Sequence, residues 1–161
     1  MKNLPKVLLS FMLGIALLFS GNLAANERYG KQKVVYHINY DDPKKQTGTL
    51  RNVQNHINAV GADNLDLKVV LHGNGLALLV LPDALADLPK FKHGNANDVM
   101  AATIDTLKGQ GVEFAVCANT VKGRDINTED HLYNVEESDV VPSGVAELAH
   151  LQSQGYVYMR P

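Results

Sequence analysis

Apolar positions recur along this chain with two periods, one of strands and one of helices. From Lys33 to Tyr40 (KVVYHINY) β-branched and aromatic residues crowd together, and Asp41-Asp42-Pro43 follows with turn chemistry and a helix breaker, so the segment predicts a first strand. Between Gln46 and Val60, Leu50, Val53, Ile57 and Val60 fall at helical spacing, and Gly61 stands where a helix C-cap is wanted. Leu65 to Leu71 (LDLKVVL) predicts a second strand, ended by the tight glycine-rich turn His72-Gly73-Asn74-Gly75. Leu76 to Leu81 is apolar throughout and Pro82 interrupts it. This predicts a short buried helix or strand and, if it lies on a surface, an oligomer contact.

Pro89 to Gly94 reads as a loop. Asn95 or Asn97 then caps a helix whose apolar stripe is Val99, Met100, Thr103, Ile104 and Leu107, and which ends at Gly109 and Gly111. Val112 to Cys117 (VEFAVC) predicts a third strand, Asn119 to Arg124 a helical turn, and Val140-Val141 before Pro142 a brief fourth strand. Val145 to Gln154 forms a last amphipathic helix, and Tyr156 to Met159 (YVYM) a last strand. Strands separated by helical segments of ten or more residues need crossover connections. The expected fold is therefore α/β: a three-layer α/β/α sandwich around a mostly parallel sheet.

The N-terminus follows neither period. Lys2 and Lys6 precede the apolar run Val7 to Phe19, and small residues through Ala24-Ala25 follow it, which is the layout of a secretory signal peptide cleaved after Ala25 or Ala24. The run is shorter than the roughly 20 residues a membrane-spanning helix needs, so no stable membrane insertion is expected after cleavage. Residues 26–32 read as a flexible leader and 33–161 as one domain, and a Gram-negative periplasm is the expected destination. Cleavage removes two of the 15 basic residues and none of the 17 acidic ones, leaving a net charge near −4. That balance argues against nucleic acid as the partner.

One cysteine, Cys117, stands in the whole chain, so no intramolecular disulfide can form in an oxidising compartment. Beyond the carboxyl ends of the strands, where open parallel sheets hold their ligands, lie Asn39-Tyr40-Asp41, His72-Gly73-Asn74-Gly75 and Cys117-Ala118-Asn119-Thr120. Cys117 precedes a turn in which Asn119 or Thr120 can cap a helix. Free backbone N–H groups there, with Lys122 and Arg124 nearby, favour the thiolate and make Cys117 a nucleophile or a sulfur carrier. The competing reading makes Cys117 a small core hydrophobe continuing the buried face of its strand. His72 ends a strand before two glycines and is the second candidate for chemistry; the competing reading is an imidazole that closes a turn. His37 lies inside the first strand, while His56, His93, His131 and His150 are expected to be solvated. No metal-ligand spacing is present, Leu78 stands where a GxGxxG fingerprint needs glycine, and no phosphate loop or GxSxG elbow occurs, so neither metal nor cofactor is expected.

The segments VVLHGNG (69–75), GVEFAVCANTVKGR (111–124) and VVPSGVAELAHLQSQGYVYMRP (140–161) together resemble the DsrE/DsrF-like family, over residues 33–161. The resemblance implies a five-stranded parallel sheet, assembly into homo-oligomers such as trimers or hexamers, and, as in sulfur-relay members, a cysteine that carries sulfur as a persulfide. Only Cys117 matches such a position; His72, Asn74 and Asn119 match residues around it, and a sulfur donor or acceptor protein is the implied partner. The expected site is thus Cys117 and His72, with Gly73, Asn74, Asn119, Thr120 and Asn39 binding the ligand. Whether the chain is an enzyme stays open, and a non-catalytic module binding a small ligand or a partner on the same edge is the alternative.

Overall fold

The computed structural model describes residues 28–161, so the signal peptide expected over residues 1–25 lies outside the described residues. β1 (Gln32–Ile38), β2 (Leu65–Leu71), β3 (Glu113–Cys117), β4 (Val140–Val141) and β5 (Val157–Met159) form one all-parallel sheet in the order β4-β3-β2-β1-β5. β1 already pairs at Gln32, opposite Leu65, so the domain begins one residue inside the expected leader.

The connecting helices divide between the faces of the sheet. α1 (Pro43–Val60) and α2 (Asp98–Gly109) pack on the face that carries Val34, Tyr36, Ile38, Leu67, Val69, Leu71, Phe114 and Val116, and this layer holds most of the core. α3 (Ala118–Gly123) and α4 (Thr128–His131) continue towards β4, and Val121 packs against the same core. α5 (Gly144–Ser153) crosses the other face, burying Leu148 and Leu151 against Val35, Val70 and Ala115. A right-handed crossover requires this change of face, because the chain advances from β1 to β4 in one direction and must then return to β5 beside β1. β3 and β4 therefore send their onward chains to opposite faces. In doubly wound sheets such a switch point is where ligands bind.

The observed elements correct the sequence reading in four places. Pro43 does not break the first helix; it is its first residue, where a missing N–H costs nothing and the fixed φ is helical, and Asp42 caps it by accepting from the Lys45 N–H at 2.8 Å. Gly73–Leu78 is a 3₁₀ segment, and Leu76 to Val80 are at most 1% exposed, with Val80 bridged to Leu132. That stretch is core and offers no oligomer contact. Val99 is 79% exposed, and Ala101 takes its place on the buried side of α2. His56, expected in solvent, bonds the Tyr36 hydroxyl at 3.1 Å and Gln32 Oε1 at 2.7 Å.

Candidate functional site

Cys117 is the last residue of β3 and the N-cap of α3, at the switch point, and is 5% exposed. It makes no closed capping bond; the sulfur instead faces the N–H groups that the first turn of α3 leaves unpaired. Burial is the largest influence on the thiol and raises its pKa. The N–H of Gly144, the hydroxyl and N–H of Thr120 and the N–H of Asn119 together outweigh it, and the thiol is held below its ordinary value. The sequence pointed to Lys122 and Arg124 for this effect, but the charges are directed elsewhere. Lys122 is exposed, and Arg124 stacks on Phe91 at 4.2 Å and donates to Asn74 Oδ1 at 2.5 Å and to the Lys90 carbonyl at 3.0 Å.

Thr120 and Gly73 belong to the same cradle, since the Gly73 N–H donates to the Thr120 hydroxyl oxygen at 2.8 Å and ties the turn after β2 to the helix after β3. Asn119 contributes its backbone, while its side chain is exposed. Asn74 is exposed and held by Arg124. Asn39 lies further along the edge, where its Oδ1 accepts from Arg160 at 2.8 Å.

His72 follows β2. Extending the β2–β3 register past Leu71↔Val116 by one residue sets it beside Cys117. Gly144 lies against both: a Cβ there would come within 2.9 Å of His72 Cβ and 3.3 Å of Cys117 Cβ. His72 Nε2 meets His37 Nε2 at 2.8 Å, the two rings stack with centroids 4.7 Å apart, and His37 Nδ1 meets the Tyr158 hydroxyl at 2.7 Å. His37 is pushed down to about 4 by burial, then by His72 and Arg160; His72 is lowered by burial and by Arg160. Both imidazoles are therefore neutral at pH 7.

His37 and Tyr158 did not stand out in the sequence. The alternation of β1 does place His37 on the face of Val35, opposite Ile38, but only the strand order makes it a neighbour of β2 and β5.

Beneath the edge, fully buried Gln46 donates to the carbonyls of Tyr40 (2.6 Å) and Gly75 (3.2 Å) and accepts from Asn95 Nδ2 (2.6 Å). One side chain thus fixes the segments that follow β1 and β2 and the loop before α2. Among the described residues, no group of three or more histidine, cysteine or acidic side chains is arranged to hold a metal ion.

A lone thiol in an N–H cradle at the switch point of a five-stranded parallel sheet defines a class of small α/β proteins with cysteine at the carboxyl edge. Within it, this chain belongs to the DsrE/DsrF-like family, whose model matches residues 33–161. Among solved structures it is similar to the protein of unknown function MTH1491 from Methanobacterium thermoautotrophicum, at 27% identity and a TM-score of 0.64, over 81% of this chain and 100% of that one. No curated protein matches the chain.

Proposed function

We propose that this protein handles sulfane sulfur, carrying it as a persulfide on Cys117. The observation that supports this reading is the set of N–H groups from Gly144, Thr120 and Asn119 around the sulfur, which favours a thiolate at the carboxyl end of a parallel strand. In the loading step the Cys117 thiolate attacks the outer sulfur of a donor persulfide. The donor S–S bond breaks, and the donor thiolate leaves with the electron pair. An acceptor thiolate then attacks the outer sulfur of Cys117–S–SH and releases Cys117 as thiolate. No net oxidation takes place, so no redox cofactor is required. His72, beside Cys117, takes up or returns the proton.

The N-terminal layout supports export, and the exposed apolar side chains of edge strand β5 support self-assembly: Val157 is 59% exposed, and Tyr158 and Met159 are each 39% exposed.

Intact mass of the natively purified protein, before and after reductant, tests the chemistry. Adducts of about 32 mass units that vanish with reductant and never appear on Cys117→Ser are expected. A clean mass in a protein whose thiol resists labelling until it unfolds would overturn the proposal. The near-complete burial of Cys117 would then favour the second reading, a non-covalent binding module in which Cys117→Ser keeps full binding.

A further inference from the structure

The contact between His37 and His72 brings two ring nitrogens to 2.8 Å, and that geometry carries more than support for a strand end. One nitrogen must donate and the other accept, so the pair shares protons in a fixed pattern. His37 then passes the pattern on through Nδ1 to the Tyr158 hydroxyl. The chain runs across three neighbouring strands on the face covered by α5, and the next strand in the sheet ends at Cys117. Its far end, Tyr158, is partly open to solvent on the edge strand, whereas His37 in the middle is 7% exposed. His72 Nδ1 has no hydrogen-bond partner among the described residues.

We propose that His37 and Tyr158 are positioning residues for His72, completing a proton relay that leads from Cys117 across the sheet to solvent at the β5 edge. The inference rests on the reading of Cys117 as the working nucleophile.

In the receiving arrangement, His72 Nε2–H donates to His37 Nε2, His37 Nδ1–H donates to the Tyr158 oxygen, and His72 Nδ1 is bare. Cys117 and His72 share no direct hydrogen bond, so the proton passes through a bridging water: the water takes the proton from the sulfur and gives one of its own to that Nδ1. The Nε2–H of His72 passes to His37 Nε2, the Nδ1–H of His37 passes to the Tyr158 oxygen, and the original hydroxyl proton of Tyr158 leaves to water. Both imidazoles begin and end neutral, which matches an environment that disfavours imidazolium on either ring. The ionisable groups that face the chain are Arg160 beyond β5, Tyr158 on β5 and Cys117 on β3. On α5, Glu147 is half-buried and acts on Tyr156, while His150 is exposed.

The test is the rate at which iodoacetamide alkylates Cys117 in the purified protein between pH 6 and pH 9, with Tyr158→Phe and His37→Asn as variants. Tyr158→Phe keeps the ring and removes only the relay oxygen. At the acid end of this range, where more of the thiol carries its proton and a base must take it, the variant is expected to be about tenfold slower than the native protein. At the alkaline end, where the thiolate is more abundant, the two rates should match, with an unchanged melting temperature. His37→Asn should show the same split between low and high pH.

Equal rates at both pH values, a uniform slowing at both, or a native Cys117 that iodoacetamide never reaches would each overturn the relay. Treatment with polysulfide separates this result from the sulfur reading. A pH-split alkylation profile without any 32-unit adduct leaves the relay standing and removes the sulfur chemistry. An adduct that forms alongside unsplit profiles does the reverse.

Discussion

Gly144 is packed closely against both His72 and Cys117. Gly144→Ala adds a methyl group 2.9 Å from one Cβ and 3.3 Å from the other, at the first turn of a helix where alanine would ordinarily be favoured. The expected result is a loss of about 1–3 kcal/mol of stability by chemical denaturation, with slower Cys117 labelling, in place of the gain that propensity alone predicts.

His37 gives the folded state an acid limit. An unfolded histidine takes its proton near pH 6.5, and folded His37 only at about 4. Between those values the unfolded chain binds the extra proton. Stability is therefore complete above pH 6.5 and drains as the pH falls towards 4. Denaturant titrations at pH 7 and pH 4.5 should differ by about 2 kcal/mol through this residue, and the difference should shrink in His37→Asn.

The places of Cys117 and His72 at strand ends are legible from sequence because each ends an apolar run before turn residues. Their partners were not. Tyr158 lies 121 residues from His37, and no local pattern announces that contact. Likewise, the amides that hold Cys117 low belong to the backbone, whose direction a side-chain pattern does not record.

The elements were read well where burial is one-sided. β2 matches its expected span residue for residue, and α1 shows its buried stripe at Leu50, Val53, Ile57 and Val60. Reading failed where capping competes with turn chemistry, as at Asp42-Pro43, and where a run is buried on all sides, as from Leu76 to Val80, since such a run carries no period to decode. Asp42→Ala removes the cap of α1 and should cost about 1 kcal/mol in thermal or urea unfolding. Gly75→Ala is far more severe, because its Cβ would sit 1.9 Å from the Ile38 carbonyl oxygen and push apart the segments that follow β1 and β2. A melting temperature close to that of the native protein would contradict this packing.

Across the whole molecule, the three-layer parallel architecture followed from the alternation of strands and helices, whereas the order β4-β3-β2-β1-β5 did not, because alternation is blind to which strand sits beside which. That order leaves β5 as a short edge bearing exposed Val157, Tyr158 and Met159. If this edge joins copies of the chain, sedimentation of the native protein at micromolar concentration should show an assembly, and Val157→Lys should shift it towards the monomer.

The pairing of Val34 with Val157 also sets a timetable for folding. The β1–β2 and β2–β3 ladders join segments closer together in sequence and can form early. Closing the fifth strand, and bringing Tyr158 to His37, joins segments 121 residues apart. The surroundings of His37 are therefore completed only by a long-range pairing. A chain that has not made that pairing holds Cys117 without the far side of its surroundings.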